Sequence, residues 1–195
     1  MPRAARAARA LPWILIASRF AIGPLLLLDA GDGSVGPTFL PLFLFAFAGD
    51  IADGILARKL GVQTAAMRSA DSFADIALYS SVAASAWRAR RSLVEPCLAP
   101  ILVVIALQFA SWLVDLAKYG RLSSYHAWSA KAWGIAQAVA AVALFGFDQA
   151  GIWLGPAIAL GALNNLECIA MTLILPRWTH DVPSLVHALR RRSSG

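Results

Sequence analysis

Charge is scarce in this chain. Only 14% of its 195 residues are charged, and Asp and Glu together number 11, against 59% hydrophobic residues. That balance excludes an ordinary soluble domain. Cysteine is nearly absent. Cys97 and Cys168 lie far apart and make no metal or redox spacing, so both read as buried apolar side chains. Walker-type glycine loops, Cys/His zinc spacings and G-x-S-x-G elbows are missing, as is any solenoid-type repeat. These absences leave a single membrane domain over residues 1–195 as the expected organisation. The net charge is +6, with no soluble basic region to carry it. Anionic membrane lipids, and not nucleic acid, are therefore the expected partner of the basic residues.

What is present is long apolar runs. Six follow one another, at about Leu11–Leu28, Thr38–Ala57, Ser69–Trp87, Cys97–Ala117, Ala132–Phe147 and Ile152–Leu175. Each is near the ~20 residues that a spanning helix needs. Backbone polar groups in lipid must be satisfied within the segment, so helices are the expected element. The fold class read from this pattern is all-α and integral to the membrane, a bundle of six transmembrane helices with interfacial helices at the termini. The N-terminal one is MPRAARAARA, with Arg3, Arg6 and Arg9 at helical spacing. Arg19 interrupts the first apolar run and argues against a signal peptide, whereas the acid-free, Arg-rich start also permits an organelle transit peptide. The C-terminal one follows Asp181 and Pro183, with Val182, Leu185, Val186 and Leu189 as an apolar stripe to be laid on the membrane surface.

Lys and Arg set the orientation. Arg3, Arg6, Arg9, Arg58, Lys59, Arg68, Lys118, Arg121, Lys131, Arg177 and Arg190 to Arg192 fall on one side, and only Arg88, Arg90 and Arg91 on the other. The positive-inside rule then puts both termini and the second loop in the cytoplasm. A bacterial inner membrane is the expected location.

The scarce acids are concentrated beside that loop. The stretch GDIADGILARKLGVQTAAMRSADSFAD holds Asp50, Asp53, Asp71 and Asp75. An ionisable residue inside a bilayer is costly and marks function by default. Asp50 and Asp53 are three residues apart, Asp71 and Asp75 four apart, so each pair shares a helix face. Four carboxylates on adjacent helices repel one another unless cations neutralise them. Oxygen ligands of this kind suit Mg2+, Mn2+ or Ca2+.

The pattern resembles that of the CDP-alcohol phosphatidyltransferase family, D-x2-D-G-x2-A-R-x8-G-x3-D-x3-D. The matching residues are Asp50, Asp53, Gly54, Ala57, Arg58, Asp71 and Asp75. Met67 stands where the family has its second glycine. The resemblance implies two divalent ions, Mg2+ or Mn2+, held by Asp50, Asp53, Asp71 and Asp75, with Asp75 also the general base. It implies a nucleotide site at Asp53, Gly54, Ala57, Arg58 and Met67. Acceptor-binding cations are expected at Arg68, Arg121 and Lys131. The implied reaction moves a phosphatidyl or related phosphoalcohol group from a CDP-linked lipid donor, CDP-diacylglycerol first, to a small alcohol or phospho-alcohol, with release of CMP in phospholipid synthesis. The implied assembly is a homodimer.

Met67 leaves three outcomes open: a rearranged nucleotide pocket, a different activated donor, or a catalytically degenerate lipid- or nucleotide-binding homologue. A small membrane transporter using the acids as a cation site is a further alternative, although neither inverted repeats nor broken helices are visible. Asp115, Asn164, Asn165 and Glu167 read mainly as interhelical hydrogen-bonding groups, and Arg19 and Lys131 are within the set of partners that Asp115 or Glu167 could take.

Overall fold

The computed structural model describes residues 3–193. These form eight α-helices: α1 (Arg3–Asp29), α2 (Phe39–Leu60), α3 (Ala65–Ala89), α4 (Arg91–Val94), α5 (Leu98–Tyr119), α6 (Trp128–Phe147), α7 (Gly151–Ile174) and α8 (Leu185–Ser193). A 3-10 turn, Glu95–Cys97, joins α4 to α5. The described residues contain no strand, only an isolated bridge between Ser124 and His180.

Five stretches are long and apolar enough to cross a membrane: Ala10–Asp29, Phe39–Leu60, Arg91–Tyr119, Trp128–Phe147 and Gly151–Ile174. Leu28, Leu102, Phe109, Leu113 and Ile152 along them are each more than half exposed. Such apolar surface is stable against lipid and not against water. The chain is an integral membrane protein. The sixth expected segment is helical too, as the 25-residue α3, but it is not among the five. Asp71, Asp75 and the serines at 69, 72, 80, 81 and 85 make it too polar by composition.

The expected separate N-terminal surface helix is not seen. From Arg3 onward the chain runs into α1 without a break, with Pro12 and Pro24 inside the helix. The alanine-rich start has high helix propensity, so the helix propagates through Pro12. The first two residues lie outside the described part.

The chain divides into two compact units. The first comprises residues 1–92 and 144–148. In it α2 and α3 pack on α1 and not chiefly on each other. Gly23 makes the α1–α3 approach close: a Cβ there would stand 3.1 Å from Ser81 Oγ and 3.2 Å from the Ala77 carbonyl. Ser85 Oγ donates to the Leu26 carbonyl across the same seam (3.2 Å). Phe39 of α2 meets Phe145 with ring centroids 4.3 Å apart.

The second unit comprises residues 93–143 and 149–195. There α5 packs against α7, and α8 against α7. Asp115 of α5 accepts hydrogen bonds from Ser123 N–H (2.9 Å), Ser123 Oγ (2.5 Å) and Thr172 Oγ1 (2.6 Å). Tyr125 bonds Thr172 in turn (2.7 Å), and burial pushes its phenol above the usual value, so it stays protonated. Lys118 and Tyr119 donate to carbonyls at the C-terminal end of α7, where no further helical turn can satisfy them. Glu167 accepts from Ser129 Oγ (2.5 Å) and from the Leu185 amide (2.9 Å), so it caps α8. Asp115 and Glu167 are therefore hydrogen-bonding residues within this unit, as expected, but their partners are hydroxyls and amides. Arg19 and Lys131, the cations that the sequence allowed as partners, are not among them.

The C-terminal stripe is also divided. Val182 and Ala188 are fully buried with Tyr125, Met171 and Leu175, while Val186 and Leu189 face outward. The segment is docked on protein on one side and keeps an apolar strip outward on the other. Both cysteines are free thiols and half-buried.

Gly161 is where α7 comes closest to its neighbours. A Cβ there would lie 2.8 Å from the Trp133 ring and 2.9 Å from Val104 Cγ1, whereas one on Gly134 would meet open space. We expect Gly161→Ala to destabilise the fold by about 1–3 kcal/mol through overpacking. Gly134→Ala, which gains helix propensity, should be neutral or stabilising by up to ~1 kcal/mol. Thermal unfolding of the two variants in detergent micelles checks this; equal melting temperatures would refute the close approach.

Candidate active site and cation cluster

The site is built on the turn between α2 and α3. α2 ends on Gly61, which adopts the left-handed conformation (φ 61°) that glycine takes without strain. The Gly61 and Val62 amides return to the Arg58 and Ala57 carbonyls, closing the helix end. Thr64 then caps α3: its backbone is extended, and its hydroxyl accepts from the Met67 amide at 3.1 Å. The intervening turn is short, so equal distances along the two helices fall at equal heights. At 1.5 Å per residue, Asp53 and Asp71 both stand about 10 Å from the turn, and Asp50 and Asp75 about 15 Å. The four acids thus form two rungs, each with one carboxylate from α2 and one from α3.

Arg19 of α1 joins them. Its Nη1 engages Asp50 Oδ1 at 2.7 Å and Asp75 Oδ1; its Nη2 engages Asp53 Oδ2 at 2.5 Å and Asp71 Oδ1. Each nitrogen serves one rung. The Arg19 side chain is 0% exposed and Asp53 is 5% exposed, whereas Asp50, Asp71 and Asp75 keep 33%, 27% and 36% of their side-chain surface. The guanidinium therefore forms the floor of the cluster, and three of the carboxylates open outward. Arg19 Nε is buried with no partner. Four carboxylates facing one guanidinium leave a formal excess of three negative charges.

Carboxylate oxygens of Asp50, Asp53 and Asp71 all lie within 4.8 Å of one another, close enough to share one ion. Asp75 is outside that trio and joins it through Arg19. The donor set is all hard oxygen, carries excess negative charge and already accommodates a cationic side chain. It fits a divalent ion such as Mg2+ or Mn2+.

Around the acids the remaining motif residues separate. Arg58 is exposed and folds back along its own helix, so a Cβ on Gly54 would lie 3.5 Å from Arg58 Nη1. Ala57 is buried, in one apolar cluster with Ile16, Met67 and Ala74. Met67 is 4% exposed and is part of the packing of this first unit. Arg68 is half-buried in the first turn of α3. In the second unit Arg121 is exposed with its guanidinium 4.0 Å over the Trp178 ring, and Lys131 is exposed in the first turn of α6. His126 pairs with Asp181 at 3.0 Å in a loop position.

Arg19 is the residue that sequence reasoning misplaced. The signal was a lone cation inside an apolar run. The charge of the four acids demands a cation, and a guanidinium meets that demand as well as a metal does.

Comparison with curated proteins and with solved structures found no match. The family model described as CDP-alcohol phosphatidyltransferase matches residues 9–175. That span covers α2, α3 and the acidic rungs, together with the arginine of α1 that joins them. The chain belongs to the CDP-alcohol phosphatidyltransferase family.

Proposed function

We propose that the protein transfers a phosphatidyl or related phosphoalcohol group from a CDP-linked donor, CDP-diacylglycerol first, to a small alcohol, releasing CMP in phospholipid synthesis. Membership of the family supplies the reaction class. The observation that carries the reading at this site is the pair of acidic rungs, matched in height and opening outward from a buried cation. In the proposed arrangement α3 is a sixth span within a single domain. Its 25 residues reach about 37 Å, longer than the ~30 Å hydrocarbon core. The Lys and Arg distribution supports a cytoplasmic active site, and the family resemblance suggests a homodimer.

Asp50, Asp53, Asp71 and Asp75 would hold two divalent ions. When bound, such ions neutralise the pyrophosphate and stabilise charge on its oxygens. Gly54 and Ala57 present little bulk beside the acids, and Arg58 offers a guanidinium to the pyrophosphate. Asp75 is the proposed base. Arg19 engages it through Oδ1, which leaves Oδ2 to take the proton of the alcohol. The alcohol oxygen forms a bond to the phosphorus on the lipid side. The bond from that phosphorus to the bridging oxygen breaks, and its electron pair leaves with CMP. Arg68, Arg121 and Lys131 are proposed as acceptor-binding residues on their charge alone.

The direct test is release of labelled CMP from CDP-diacylglycerol across a panel of alcohols, with Mg2+, Mn2+ or a chelator. Release that is independent of both ion and alcohol would overturn the reading. Asp53→Asn and Asp71→Asn should each lower turnover by about 10²-fold or more while the protein still inserts and folds. Retention of wild-type turnover by either variant would remove that residue from the metal site.

Asp75→Asn should act on a different quantity. Loss of a general base lowers the chemical step by about 10²–10⁴-fold. Binding of the CDP donor, followed by equilibrium titration, should change far less. An equal loss of affinity and turnover would make Asp75 a ligand and not the base.

Met67→Gly empties the cluster beneath Ala57. Cavity formation and lost helix propensity together should cost about 3 kcal/mol or more, read as a lower melting temperature. We expect donor affinity to fall with it, because Ala57 then loses its support. A gain in donor affinity would instead show that the thioether narrows the nucleotide pocket.

A further inference from the structure

The Arg19 guanidinium is bound to the same four carboxylates that would hold a divalent ion. It uses one oxygen of each, and it spans both rungs with its two terminal nitrogens. It is entirely buried, and its Nε is left without a partner, so the whole of its hydrogen bonding in the site is directed at the acids. Only the two terminal nitrogens, the ends that meet the acids, are satisfied. Three of the four carboxylates remain open on the side away from it. An ion arriving from that side either takes the oxygens that Arg19 holds or binds the remaining ones a few ångströms from a positive charge. Both routes oppose the ion, most strongly at the enclosed Arg19–Asp53 end of the site, where water screens least.

We propose that Arg19 is a resident counter-cation that competes with divalent ions for the acidic site and so sets its metal affinity. This rests on the metal reading above. In the absence of an ion, the guanidinium relieves the repulsion among the acids and holds α2 and α3 to α1. When an ion binds, Arg19 gives up or shares its oxygens, and the site is thereby tuned to ion concentrations that are high enough to compete.

The test uses the full chain in detergent, with Mn2+ as the probe and free Mn2+ followed by its paramagnetic resonance signal. Arg19→Gln removes the charge and should bind Mn2+ at least tenfold more tightly than the wild type. Arg19→Lys keeps the charge but cannot bridge both rungs, and its affinity should lie between the two. The melting temperature of Arg19→Gln should be lower than wild type without Mn2+ and should recover on its addition. If that variant folds only with the ion present, its affinity is read by chelator competition after purification in Mn2+. Affinity equal to or weaker than wild type in both variants overturns the proposal and makes Arg19 a fixed support. No Mn2+ binding by any of the three proteins overturns the metal reading, and the proposal with it.

Discussion

The ion pairs between Arg19 and four aspartates hold the first unit together. Without the arginine, α2 and α3 would present four carboxylates to one another in an environment of low dielectric, where like charges repel strongly. With it, α1 becomes the helix on which both of the others pack. Removing one partner from a buried pair typically costs about 3–5 kcal/mol, because the charge left behind is neither solvated nor matched. Loss of Arg19 comes nearest to that regime, at the enclosed Asp53, whereas loss of one aspartate leaves Arg19 matched by the other three. The three more exposed contacts are screened by water and contribute less each.

The small residues of the first unit serve the same end. Gly23 lets α1 and α3 approach closely, whereas a Cβ on Gly49 would make only an ordinary contact with Leu15, at 3.7 Å. The close approach at Gly23 allows an arginine on α1 to reach two helices at once. The Thr64 cap and the left-handed Gly61 fix the turn, and through it the height of each acid. Inserting or deleting one residue within either helix, between its acids and the turn, would rotate that acidic pair by about 100° and shift it by about 1.5 Å. The regular spacing of the motif is thus a requirement of helix geometry on both sides of the turn.

The second unit meets its intramembrane acids with neutral donors where the first uses a guanidinium. Asp115 is satisfied by two hydroxyls and an amide, and Glu167 by a hydroxyl and the first amide of α8. Carboxylates within apolar helices are costly unless their oxygens are filled. Here hydroxyls supplied by Ser123, Ser129 and Thr172 fill them. The same glutamate ties the C-terminal helix to α7, so one residue serves both helix pairing and capping.

Much was legible from the sequence, because it rests on local periodicity and composition. Long apolar runs dictated helices and a membrane, since no other element satisfies its own backbone in lipid. Helical spacing dictated that each acidic pair shares a face, and the fixed spacing of Asp, Gly, Ala and Arg pointed to the family. Tertiary structure decided what those side chains touch. Arg19 is 31 to 56 residues away from the acids in sequence, and nothing in its neighbourhood distinguishes Asp50 from Asp115 as a partner. The apolar burial of Met67 with Ala57 and Ile16, and the hydroxyl partners of Asp115 and Glu167, are likewise products of three-dimensional packing. Charge in an apolar medium demands a partner, and the sequence announces that demand. Only the packing of helices, which brings distant residues to the same height and face, determines which partner meets it.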